Sequence, residues 1–145
     1  MKYIKITLKP GKEESFKRFH PWVFSGAIDR FERQPEEGDV VEIIDWKGNF
    51  VGTGHYQIGS IAVRILSFMK ENIDLEFYKK RLNVAYRMRR SIGLINGDYN
   101  NTYRLVHGEG DNLSGLIIDI YDKTAVVQAH SPGMHYARHT LAQAL

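Results

Sequence analysis

The stretch YRLVHGEGDNLSGLIIDIY, Tyr103 to Tyr121, is apolar and β-prone at both ends and polar in the middle. Its centre, His107 to Ser114, packs two glycines with Glu109, Asp111 and Asn112. A strand that breaks into a glycine-rich charged loop and resumes as an aliphatic strand presents polar groups from a rigid support. Val106 to Gly110, VHGEG, runs a strand into Gly-x-Gly, the way many nucleotide-type sites open. Such sites need a helix next, whose N-terminal amides face the ligand. Here Asn112–Gly115 leads straight into the β-branched, aliphatic LIIDIY of Leu116 to Tyr121. The loop is therefore read as facing a substrate or a partner domain through Arg104, His107, Glu109 and Asp111, and not as a cofactor cradle.

Downstream, Ile117–Tyr121 and Thr124–Ala129 read as a hairpin around Asp122-Lys123. Ser131 is placed to cap a helix with Pro132 at its first position. Met134, Ala137 and Leu141 give that helix an apolar stripe that nothing visible covers, which predicts a truncated protein. His135 and His139 have metal-like i, i+4 spacing, but no Glu follows the first and no third ligand is evident apart from His130, so no metal is expected.

Upstream, Asn72 or Asp74 is a plausible N-cap, and Leu75, Tyr78, Leu82, Ala85 and Ile92 fall on one helical face before a stop at Gly93. The other face carries Lys79, Lys80, Arg81, Arg87, Arg89 and Arg90. It reads as a solvated linker face or as a second RNA-contacting surface, with Arg87 and Arg90 as its candidates. Before it, Ile4, Ile6 and Leu8 alternate with Lys5 and Thr7 as a half-buried strand ended by Pro10-Gly11. Lys12–Phe19 is expected to form a short basic helix. Asp39–Ile44 and Phe50–Tyr56 are strands about a turn at Asp45–Asn49, and Ile61–Phe68 is another. Gly52 and Gly54 inside a strand predict a bulge or a close backbone approach. Short strands with glycine turns and about one helix indicate a small mixed β-barrel. The fold class is thus α+β. A barrel spans 1–69, an amphipathic basic linker helix 70–93, and the first part of a central α/β domain, a β-hairpin plus helix, 94–145.

The composition, 43% apolar and 26% charged over 145 residues, is globular. No apolar run approaches the roughly 18 residues of a membrane span and no signal-peptide core opens the chain, so a soluble, cytoplasmic protein with no membrane partner is expected. There is no cysteine, hence no disulfide, thiolate metal site or cysteine nucleophile. The formal net charge of +3 comes in blocks: +4 over residues 1–33, −3 over 34–69, +4 over 70–104 and −2 over 105–145. Blocks of positive charge on a nearly neutral chain point to a basic face and to a polyanionic partner. Lys9, Lys12, Lys17 and Arg18 suit phosphates. His20, Trp22, His55 and Tyr56 carry flat rings on which an unstacked base can sit. The bland alternative makes Trp22 and Phe24 core residues and the lysines a solvated face.

Residues 1–69 resemble the PUA domain, an RNA-binding module, through His20–Ile28 (HPWVFSGAI), Gly38–Ile43 (GDVVEI), Gly48–Tyr56 (GNFVGTGHY) and Ala62–Ser67 (AVRILS). With the basic helix and the Tyr103–Tyr121 stretch, the whole chain resembles the N-terminal third of the PUA-containing, S-adenosylmethionine-dependent methyltransferases that make 5-methylcytosine in large-subunit ribosomal RNA. The family pattern RLV-x-GE-x-D-x-L-x-GL-I-x-D-x-Y is met by Arg104, Leu105, Val106, Gly108, Glu109, Asp111, Leu113, Gly115, Leu116, Ile117, Asp119 and Tyr121. Ser114 departs from the proline usual in that family.

The resemblance implies ribosomal RNA as partner and a Rossmann-like methyltransferase domain beyond the segment given, with S-adenosylmethionine as cofactor of the full-length parent. Methylation at carbon 5 of cytosine needs a nucleophile that adds to the ring, a task for a thiolate. With no cysteine, this chain is expected to have no catalytic residues, to bind no cofactor itself, and to hold and position RNA. The alternative is a stand-alone PUA-type RNA-binding adaptor. A third reading is a small nucleotide- or metal-binding enzyme using His107, Glu109 and Asp111. Homodimer and monomer are both open.

Overall fold

The computed structural model describes residues 2–96 and 100–145. The chain divides into two compact units, Met1–Ile73 and Asp74–Leu145.

The first unit is a six-stranded mixed sheet built from β1 (Ile4–Leu8), β2 (Trp22–Phe24), β3 (Ile28–Phe31), β4 (Val40–Ile44), β5 (Phe50–Tyr56) and β6 (Ile61–Ser67). The order is β2-β6-β5-β4-β1-β3, with β1 and β4 parallel and the other pairings antiparallel. Every antiparallel pairing carries a register shift, and such bulges bend and twist a sheet toward a half-barrel. The inner face is aliphatic: Ile6, Leu8, Val23, Val41, Ile43 and Val63 are fully buried around Phe16. At Asp45–Asn49 one carboxylate sets the turn. Asp45 Oδ1 accepts the Lys47 and Asn49 amides at 2.9 and 2.8 Å, as expected of an Asx-type turn.

Gly54 shows why glycine interrupts β5. A Cβ there would lie 2.1 Å from the Arg64 carbonyl oxygen of β6, closer than any side chain can stand. The close approach predicted from the sequence is thus real, and it coincides with the Thr53/Gly54 register shift.

The expected basic helix at Lys12–Phe19 is replaced by turns and a single 3-10 turn, Phe16–Arg18. Phe19 ends it in the left-handed region, φ 59°, with its amide bonded to the Phe16 carbonyl. Pro21 follows too closely for a helix to continue.

The second unit holds α1 (Leu75–Ser91), the antiparallel meander β7 (Thr102–His107), β8 (Leu116–Tyr121) and β9 (Thr124–Ala129), then α2 (Pro132–Tyr136) and α3 (Arg138–Ala144). Asp74 caps α1 by accepting the Phe77 amide at 3.0 Å. Phe77, Tyr78, Leu82 and Ala85 are its buried face, while Ile92 lies beyond the helix and is 67% exposed. The helix expected as a linker packs on β7 and α3 inside this unit. Ser131 Oγ accepts the Met134 amide at 3.3 Å, as the Ser-Pro start predicts. The final helix is broken at Ala137, where the Arg138 guanidinium takes the His135 carbonyl at 2.9 Å. Its stripe is not bare: Met134 and Leu141 are fully buried. The uncovered stripe expected from the sequence is covered by this unit's own residues.

Candidate nucleic-acid interface

β2 is an edge strand of the first sheet, and its three residues alternate cleanly. Val23 points into the core and is fully buried, so Trp22 and Phe24 share the outer face. His20 joins them. Ring centroids lie 6.0 Å apart for His20–Trp22, 6.1 Å for His20–Phe24 and 6.4 Å for Trp22–Phe24. His20 Nδ1 also bonds to the Trp22 main chain, fixing the ring. Arg64 of β6, paired with Trp22 across the ladder, sits over the indole with its guanidinium carbon 5.8 Å from the ring centroid. Phe24 is 48% exposed, so it is not the core residue that the bland reading made it. Trp22 is half-buried. The W-V-F alternation carried this signal: with Val23 inward, both aromatics must face out.

The cations lie on the segments that lead into this strand. Lys9 and Lys12 are exposed at either end of the Pro10-Gly11 turn, and Arg18 is exposed in the 3-10 turn. Lys17 holds Glu14 at 2.6 Å, and that contact raises its pKa above the ordinary lysine value.

Two predicted stacking residues are placed otherwise. His55 is 3% exposed and Tyr56 7%, because the β5 segment from Gly52 to Tyr56 is buried throughout. Neither offers a ring face to a base. Tyr56 instead meets Phe31 edge-on at 5.9 Å and its hydroxyl accepts from Gln34 at 3.1 Å. Burial pushes the His55 pKa down to about 4.

In the second unit, Arg87 and Arg90 are exposed on α1, three residues apart and therefore neighbours on its surface. Arg89, expected on the same solvated face, turns inward and pairs with Asp111. The 107–114 loop is engaged with its own unit. Asp111 also accepts the His107 amide at 2.7 Å, Glu109 accepts the Ser114 hydroxyl at 2.6 Å, and Arg104 grips Asp119 with Nε–Oδ1 at 2.8 Å while contacting His107 Nδ1 at 3.2 Å. The Arg104 contact holds the Asp119 carboxyl below its usual range.

The loop after β7 runs into β8 and not into an α-helix. Its first turn is a four-residue 3-10 segment, Gly108–Asp111, closed by Asn112 in the left-handed region. The Asn112 and Leu113 amides are consumed by the Glu109 and Gly108 carbonyls. His135 and His139 fall on separate helical segments, and among the described residues no three His, Asp or Glu side chains gather as metal ligands.

Residues 6–68 match the family model described as a PUA-like domain, so the first unit is a PUA-like domain. Over 98% of its length the chain is 38% identical to proteins described as ribosomal RNA large subunit methyltransferase I from Shigella dysenteriae and Escherichia coli, and 36% identical to one from Erwinia tasmaniensis. It spans 36% of the length of these curated relatives. Over nearly its whole length the chain is thus similar to a stretch about a third as long as these proteins. Among solved structures, a Streptococcus mutans protein assigned as a SAM-dependent methyltransferase shares the fold at a TM-score of 0.79 and 18% identity, with 97% of this chain and 36% of that one covered. A second, assigned as a methyltransferase and holding SAH, matches at 0.80 with the same identity and coverage.

Proposed function

We propose that this chain binds RNA through its PUA-like unit and serves as the substrate-positioning part of a ribosomal RNA methyltransferase. The observation that carries the reading is the outward aromatic cluster of His20, Trp22 and Phe24, with Arg64 over Trp22 and Lys9, Lys12 and Arg18 nearby in sequence. Flat rings accept unstacked bases without regard to sequence, and the cations neutralise phosphates. Methyl transfer, with S-adenosylmethionine as donor, belongs to the two-thirds of the relatives' length that this chain does not span. Arg87 and Arg90 are a second candidate phosphate contact on α1.

The test is RNA affinity as a function of salt. Affinity for a structured ribosomal RNA fragment should fall steeply with ionic strength. Replacing Lys12, Lys17 and Arg18 together with Ala should flatten the log–log slope by up to about three phosphate equivalents. Undetectable binding in dilute buffer would overturn the proposal. An unchanged slope would move the contact elsewhere, with Arg87→Ala/Arg90→Ala as the next variant.

A further inference from the structure

Beside the 3-10 turn that carries Lys17 and Arg18, the first unit holds a cavity of about 400 Å³, within the range of small-molecule sites. Its walls include four aromatic rings, Phe16, Phe19, Phe50 and Phe68, together with Glu13 and Lys17. We infer that this cavity takes one unstacked nucleobase that carries an exocyclic amino group. The inference rests on the RNA-binding reading above and gives it a base-selective subsite.

Three observations converge on it. The first is Glu13 Oε2, which is buried and has no hydrogen-bond partner among the described residues. A buried carboxylate oxygen without a donor is costly, and a ligand N–H would satisfy it. The other polar groups of the cavity are engaged. Lys17 holds Glu14 at 2.6 Å, and the Asp45 carboxylate accepts the Lys47 and Asn49 amides and the Asn49 side chain. The open acceptor is thus Glu13.

The second is Phe19. It sits in the left-handed region at φ 59° and is 71% exposed, meeting Phe68 edge-to-face at a centroid distance of 5.3 Å. A bulky residue in that conformation is uncommon, and an exposed ring gains little for the core in return. What the conformation does is stand a ring at the mouth of an aromatic cavity, where a base can stack on it.

The third is position. Phe19 follows Lys17 and Arg18 directly and precedes the His20–Trp22 cluster, so along the chain the cavity's exposed ring stands between cations and aromatics.

The acceptor sets the selectivity. Cytosine, adenine and guanine present an exocyclic NH₂ that donates to a carboxylate. Uracil places a carbonyl oxygen where cytosine has its amine, and oxygen would face oxygen.

Cytidine and uridine hexamers isolate this difference, because the two pyrimidine rings have nearly the same size and shape and differ in the group at carbon 4. Fluorescence anisotropy with this chain should show the cytidine hexamer bound about tenfold more tightly than the uridine hexamer. Glu13→Gln should remove that preference while leaving the salt slope intact, and Phe19→Ala, at an exposed rim position, should weaken both oligomers. Thermal melting of each variant checks the fold. Equal affinity for the two hexamers in the unsubstituted protein, or a preference that survives Glu13→Gln, overturns the subsite and leaves RNA binding standing. If neither hexamer nor structured RNA binds at low salt, both readings fall together.

Discussion

Arg89 of α1 and Asp111 of the loop after β7 form a two-pronged ion pair, with Nη1 on Oδ1 and Nη2 on Oδ2, the latter at 2.8 Å. The two side chains are only 12% and 3% exposed. Arg89 Nε also donates to the Arg104 carbonyl at 3.0 Å, so one guanidinium ties the helix to β7 and to the loop that follows it. The polar residues of the Arg104–Tyr121 pattern are thereby spent on one another. Arg104 takes Asp119, Glu109 takes Ser114, and Asp111 takes Arg89 and the His107 amide. A loop that looks from its sequence like a presented set of functional groups is held by its own side chains and by Arg89 of α1.

Breaking one half of a buried, hydrogen-bonded pair leaves an uncompensated charge, at a cost of about 3–5 kcal/mol. Arg89→Met and Asp111→Leu should each lower the urea midpoint by that equivalent. The double substitution should recover most of the loss, because two apolar groups replace two paired charges. Single variants with wild-type midpoints would show that the loop is not held by this contact.

Phe24→Ala separates RNA contact from stability. The ring is about half exposed on an edge strand, so its loss should change stability little. Loss of a stacking ring should weaken single-stranded RNA binding by about 1–3 kcal/mol per base. Trp22→Ala should weaken binding as much, and should also destabilise the fold because the indole is half-buried and lies under Arg64. Titration of short RNA at fixed salt, beside thermal melting, reads the two effects apart. Wild-type affinity in Phe24→Ala would remove the aromatic cluster from the interface.

Local signals carried far in this sequence. The Asp45–Asn49 turn, the Asp74 cap and the Ser131-Pro132 start each follow from chemistry within a few residues. What could not be read locally was the direction of side chains decided by distant partners. Arg89 looks like its neighbours Arg87 and Arg90 until Asp111, twenty-two positions on, arrives against it. His55 looks like an available ring, yet it lies on a central strand of the sheet, flanked by β4 and β6, and is buried. Met134 and Leu141 look bare because the residues that bury them are not in the same segment. Phe19 ends in a conformation that no propensity predicts for phenylalanine.

Gly54→Ala tests the closest approach in the half-barrel. A methyl group would be driven into the Arg64 carbonyl at 2.1 Å, and neither strand can yield without opening the β5–β6 ladder. The expected loss is about 3 kcal/mol or more, above the usual cost of overpacking. Gly26, where an added methyl meets nothing within 4 Å, is the matched control and should tolerate alanine far better. Equal melting temperatures for the two variants would mean that β5 and β6 can part at this point without cost to the fold.

His55 makes the stability of the first unit depend on pH. Its folded pKa of about 4 lies below the ordinary 6.5, and the cause is desolvation of the imidazolium on burial. The unfolded chain therefore binds a proton that the folded chain refuses between those values. The neutral ring's contribution is complete above pH 6.5 and is lost progressively as pH falls toward 4, by about 3 kcal/mol in all. Below pH 4 both states are protonated and the slope from this residue disappears. His55→Leu removes the titration and the buried Nδ1, which has no partner among the described residues. Urea unfolding between pH 7 and pH 4 should show a steep decline for the unsubstituted protein. The decline for His55→Leu should be shallower, since that variant takes up no proton at this position, and it should start from no penalty at pH 7. Parallel declines would mean that carboxylates, not this buried ring, set the acid limit of the fold.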